Sequence, residues 1–217
     1  MWLLQSSIGK KLIMSISGLF LLVFLLLHMS VNFVSIISGE AYNEACHFMG
    51  TNIFVQIMVP VLAAGFVIHI IYACVLTLQN QKARGSDKYA SSSKTKVPWA
   101  SKNMFVLGII VLGFLGMHLM HFWTKMQLSE WLGEEQALGY TLVSALFKNP
   151  LYAVLYLVWI WALWFHLTHG FWSAFQTIGL NNGKWIPRLK VIAYIYATVI
   201  AVGFTIIPIF FWLVPGK

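Results

Sequence analysis

Residues 151–178, LYAVLYLVWIWALWFHLTHGFWSAFQTI, decide the fold. The run exceeds the roughly 20 apolar residues that carry a helix across a bilayer. His166 and His169 nevertheless sit well inside it. Imidazole in hydrocarbon is costly and needs a partner, so an intramembrane histidine marks a functional site. Four further apolar runs occupy about 12–37, 53–78, 104–123 and 191–214. Three of these also carry histidine: His28, His69, and His118 with His121.

The 217-residue chain is 59% hydrophobic and 9% charged, where a soluble domain carries about 25% charged residues. Each run is of helix length, without the short alternation of a membrane barrel strand. The expectation is an all-α integral membrane protein, one domain over 1–217 with five transmembrane helices. Lys10 and Lys11 before the first run suggest a signal peptide, but the run is too long and Gly39-Glu40 makes a poor cleavage site. It reads as a retained helix.

The net charge of +8 is distributed by side. Lys10, Lys11, Lys82, Arg84, Lys88, Lys94, Lys96, Lys102, Lys184, Arg188 and Lys190 fall on one side, 11 of the 14 basic residues. Glu40, Glu44, Glu130, Glu134 and Glu135, five of the six acids, fall on the other. The positive-inside rule then predicts a cytoplasmic N-terminus, five crossings and an outside C-terminus. The basic balance thus reads as a topology signal, with anionic lipid or a docked partner as its second use, and calls for no nucleic acid. Cys46 and Cys74 fall at different sides or depths, so no disulfide is expected, and there is no CxxCH for covalent haem attachment.

Between the runs, 39–53 reads as an outer loop holding Glu40, Glu44 and His47, the last as a solvated residue. The Lys- and Ser-rich stretch 79–103 reads as solvated or partner-facing. The segment 125–150, with Trp131, Leu132, Leu138 and Tyr140, is expected to hold a short amphipathic helix along the interface. Pro150 suits the first turn of the fourth run.

Depth sorts the histidines into two layers. His28 and His118 lie roughly 22 and 21 Å from the basic ends of their runs, and His69 and His169 roughly 13 Å from theirs, at 1.5 Å per residue. Two height-matched pairs shared among four helices suit two bis-histidine b haems, one in each half of the bundle. Gly65, Gly170 and Gly116 are the small residues expected where a macrocycle meets a helix. The competing readings are histidines as interhelical glue and a proton or metal transporter, which uses Asp or Glu near the midplane; no run contains an acid. His121 and His166 each lie one turn from a favoured ligand. They are second choices, with bonding to propionates, tuning of the ligands or mutual satisfaction as their alternative roles. The clustered tryptophans Trp159, Trp161, Trp164 and Trp172 read first as packing and interface belt.

SISGLFLLVFLLLHM (15–29), GFVIHIIYACVLTL (65–78), GFLGMHLMHFW (113–123) and HLTHGFWSAFQTIGL (166–180) together resemble the di-haem cytochrome b membrane anchor of the succinate dehydrogenase and fumarate reductase family. The resemblance covers nearly the whole chain. It implies His28 with His118 as ligands of the outer haem and His69 with His169 as ligands of the inner one, and assigns Ser15 to a haem propionate. It also implies a flavoprotein partner with FAD, an iron–sulfur subunit docked on the basic loops, and a quinone substrate, menaquinone, with Glu44 or Glu40 near it. A bacterial cytoplasmic (inner) membrane and a dimer of complexes are further implications. The dicarboxylate chemistry is not in this chain, which has no nucleotide fingerprint and no cysteine cluster. The alternatives are the cytochrome b subunit of a hydrogenase or formate dehydrogenase, and a haem-free helical anchor or transporter.

Overall fold

The structure is a computed structural model that describes residues 5–84 and 98–214. Lys88, Lys94 and Lys96 of the basic loop lie outside the described residues. Every regular element among the described residues is helical. Five helical stretches are long and apolar enough to cross a membrane: Ser7–Ile36, Ile53–Ala83, Met104–Trp131, Pro150–Thr177 and Trp185–Leu213.

The first span is α1 (Ser7–Phe33), continued by a 3₁₀ turn at Val34–Ile36. It starts before the apolar run because the Ser6 hydroxyl accepts from Gly9 N at 3.0 Å, a side-chain N-cap. Residues 39–53, expected as a loop, instead form α2 (Gly39–Thr51). Ser38 caps it by accepting from Ala41 N, and Glu40 in its first turn complements the helix dipole. The second span, α3 (Ile53–Arg84), is capped by Asn52 Oδ1, which accepts from Phe54 and Val55 N, and carries Pro60 inside it.

After the short α4 (Trp99–Lys102), the third span begins as α5 (Met104–His118) and continues into a π-helical stretch, Leu119–Leu128, and α6 (Ser129–Trp131). It therefore runs beyond the expected 104–123. Within 125–150 a helix forms, α7 (Gly139–Phe147), with one face packed on the protein. Val143 and Phe147 are buried with Tyr42, Tyr156, Ile207 and Phe211, so α7 closes the acidic end of the bundle. The fourth span, α8 (Pro150–Thr177), starts on Pro150 with Asn149 Oδ1 accepting from Leu151 N at 2.9 Å. The fifth is α9 (Trp185–Leu213), whose Ala193, Ala197, Ala201 and Gly203 are buried against its neighbours.

The packing places α1 and α8 at the centre. α1 packs along α3, α8 and α9, while α8 packs along α1, α5 and α9. Three sides of the square α1–α3–α5–α8 are thus closed. The fourth, between α3 and α5, has no extended backbone contact among the described residues. These two helices meet at the acidic end, where Gln56 and Gln127 exchange amide hydrogen bonds of 3.1 and 2.9 Å and Trp131 Nε1 donates to Gln56 Oε1. Large apolar side chains such as Val23, Leu27, Ile57, Ile71, Ile109, Val158, Val191 and Ile195 point outward. Hydrocarbon solvates such a surface, and the backbone is satisfied within each helix.

Candidate functional site

Two pairs of imidazoles cross the diagonals of that square. His28 on α1 and His118 at the end of α5 have ring centres 5.7 Å apart and planes at 88°. His69 on α3 and His166 on α8 have ring centres 6.4 Å apart and planes at 64°. Two imidazoles sharing one metal through nitrogens about 2 Å from it leave ring centres about 6 Å apart. Both pairs stand near that separation.

Depth counting couples His69 with His169, whereas the ring facing His69 belongs to His166. His169 presents its edge to Trp172 at 5.0 Å, and the Lys190 ammonium lies 4.9 Å from the same indole. Three residues along an α-helix shift a side chain about 60° round the axis, so similar heights do not mean the same face. His121 shows this more strongly. The π-helical stretch begins immediately after His118, and its wider i→i+5 turns carry His121 away from the α1 side. Its Nδ1 is hydrogen-bonded to the Tyr156 hydroxyl at 3.0 Å, and its ring packs against Tyr152. His121 is satisfied by the protein and does not meet His166.

Nδ1 of His69, His118, His166 and His169 is buried without a hydrogen-bond partner among the described residues, as is Trp159 Nε1. An unpaired buried polar atom costs about 1–3 kcal/mol. Four of them in one bundle point to a group that the imidazoles serve. Among the described residues no three or more of His, Cys, Asp and Glu converge as metal ligands. A haem, whose macrocycle supplies the equatorial ligands, asks the protein only for axial ones. The paired imidazoles of His28 with His118 and His69 with His166, beside the open α3/α5 side, fit that requirement.

Two glycines lie beside these rings. A Cβ on Gly18 would lie 3.5 Å from His69 Cε1, and one on Gly108 4.0 Å from His166 Cε1. Gly65 faces α1 instead, where a Cβ would come within 2.7 Å of Phe20 Cε1, so its role is close packing of α1 on α3. Gly116 meets nothing within 4 Å, and Gly170 faces Met104. Spacing from a histidine shows only which glycines share its helix face. Gly18 and Gly108 lie on other helices and come beside the rings through packing.

Aromatic rings line the His28–His118 layer. Phe24 stacks on His28 at 5.2 Å, Phe204 lies 5.8 Å away, and Trp159 and Phe122 flank His118 at 5.5 and 5.2 Å. Ser15 is buried on α1. Glu40, Glu44 and His47 are exposed on α2. Between them in sequence, Tyr42 is buried and its hydroxyl donates to Asn32 Oδ1 at 3.0 Å, a contact the sequence reading missed. Burial pushes the Tyr42 hydroxyl pKa well up, with Cys46 beside it adding to the effect. Burial also raises the Cys46 thiol, partly offset by its hydrogen bond with Tyr42. Both cysteines are free.

No family model matches the chain, and no solved structure matches it. A curated protein that it does match is the succinate dehydrogenase cytochrome b558 subunit of Bacillus subtilis (strain 168), 24% identical over 160 residues, 73% of each chain. Five bilayer-length helices and this relative make the chain a multi-pass membrane protein whose likeness to the succinate dehydrogenase anchor family rests on an aligned relative as well as on its own motifs.

Proposed function

We propose that this chain is the membrane-anchor cytochrome b of a succinate:quinone oxidoreductase or quinol:fumarate reductase. It binds two b haems and passes electrons between an iron–sulfur subunit at its basic end and quinone in the membrane. The observation that carries this reading is the two imidazole couples across the diagonals of one four-helix set, with ring nitrogens of His69, His118 and His166 buried and unpartnered among the described residues. Haem iron, when bound, supplies one-electron chemistry at a potential set by its axial ligands and surroundings.

The residues divide the work. His28 and His118 hold the group nearer the acidic end. His69 holds the other with His166, whose ring faces it, or with the depth-matched His169 one turn away. Gly18 and Gly108 leave room beside that second pair, and Ser15 serves a propionate. Lys10, Lys11, Lys82, Lys102, Lys184, Arg188 and Lys190 give the basic end a positive surface for the iron–sulfur subunit, which in turn carries the FAD flavoprotein. That end faces the cytoplasm of a bacterium. Glu40 and Glu44 lie at the opposite end, the side given to quinone, menaquinone by resemblance. The same resemblance supports a dimer of complexes.

A dithionite-reduced minus oxidised spectrum with pyridine haemochrome quantitation tests this on the purified complex and its single histidine-to-alanine variants. Two haems per chain, one lost in each of H28A, H69A and H118A and in one of H166A and H169A, is the expected result. A chain without haem would return the histidines to interhelical glue. Haem without a co-purifying flavin subunit would point to the hydrogenase or formate dehydrogenase type.

A further inference from the structure

Asn32 lies one turn beyond His28 on α1, and both ends of its amide are engaged. Nδ2 donates to the His28 backbone oxygen at 2.8 Å and stands 3.4 and 3.5 Å from the two His28 ring nitrogens. Oδ1 accepts from the Tyr42 hydroxyl at 3.0 Å. Tyr42 is only 5% exposed and packs in the cluster that closes the acidic end, with Val143, Phe147, Tyr156 and Phe211. The amide therefore cannot swing without breaking a hydrogen bond to a residue fixed in that core. Phe24 stacks on His28 with planes 23° apart. The imidazole is held between Phe24 stacked against it and the Asn32 amide, whose Nδ2 packs against the ring about equally far from its two nitrogens, in a plane 88° from that of His118.

We infer that Asn32, anchored by Tyr42, is a positioning residue that fixes the plane of the His28 imidazole and its angle to His118. This rests on the reading of His28 and His118 as axial ligands of one haem. The angle between two axial imidazole planes governs the anisotropy of the low-spin ferric EPR signal. The hydrogen bonds around a ligand set its orientation and basicity, and through them the redox potential. The arrangement also ties this layer to α2, so the packing of the acidic end reaches the histidine through two side chains.

The test uses the assembled complex with N32L and Y42F, read by EPR and by redox titration of each haem. The haem concerned is the one lost in H28A. The wild-type complex is expected to give a strongly anisotropic low-spin signal from the near-perpendicular pair. N32L moves that signal and changes the redox equilibrium constant of the same haem threefold to tenfold, tenfold being about 59 mV for one electron. The other haem keeps its signal and potential. Y42F, which removes only the hydroxyl, moves the same signal in the same direction by less, and decides alone if N32L does not assemble. Unchanged spectra in a variant that binds both haems overturn the inference, as does an equal shift of both haems, which would mean general loosening. A wild-type chain without haem is a different failure, that of the ligand reading itself.

Discussion

At His69 the choice of partner turns on one helical turn of α8. His166 faces it at 6.4 Å, while His169 packs on Trp172 beside Lys190. H166A is therefore expected to lose one haem and H169A to keep two, as read by pyridine haemochrome per chain. Gly18 gives a second check on that layer. Alanine at 18 places a methyl at ordinary contact with His69 Cε1, 3.5 Å away, whereas leucine must push the ring aside. G18A should keep both haems and G18L should lose the one served by His69. Tyr156 separates structural from ligand histidine. Removing its hydroxyl leaves His121 unpaired and costs about 1 kcal/mol, visible as a lower melting temperature with both haems retained. The histidines, their heights and the lack of intramembrane acids were all legible in the sequence. The facing rings were not, because height is linear in residue number while direction depends on each helix's rotation against its neighbours.

The third span depends on its π-helical stretch. Leu119–Leu128 turns His121 onto Tyr156 and carries Gln127 to Gln56. Deleting Met120 would let an α-helical register take over and rotate everything beyond it. The expected result is intact haem at His118 but a loosened α3–α5 junction, seen as faster hydrogen exchange at Gln56 and Gln127. Such a bulge has no sequence signature of its own, since its residues, though more polar than those of α5 before it, are ordinary helix residues. The end of α8 is the opposite case. Pro150 reads directly as a first-turn residue, and the helix starts there with Asn149 as its cap; N149A is expected to cost about 1 kcal/mol of stability in thermal melts. For α2, polar residues and two glycines in 39–51 concealed a helix that Ser38 caps. For α7, the apolar side chains were visible, but whether they met lipid or protein was decided by Tyr42, Tyr156 and Phe211 arriving from distant parts of the chain.

Across the whole molecule, the sealed acidic end carries a pH signature. Burial holds the Cys46 thiol and the Tyr42 hydroxyl in their neutral forms. A pKa raised in the fold means stability that is present below the unfolded values, about 8.5 for a thiol and 10 for a phenol, and lost as pH climbs above them. The melting temperature should fall above about pH 9, and C46A should delay the onset of that fall. The sequence by itself determined that the chain spans a membrane five times as helices, because backbone groups in hydrocarbon must pair within their own segment and the apolar runs have that length. It also showed histidines inside four of the five spans and most basic residues in different loops from most acidic ones. Only the tertiary structure decided that His166 faces His69, that Gly18 and Gly108 rather than Gly65 and Gly116 lie beside the rings, and that Asn32 and Tyr42 reach His28. Those facts depend on helix rotation and on which helices pack, and both are set by side chains far apart in the chain filling common space.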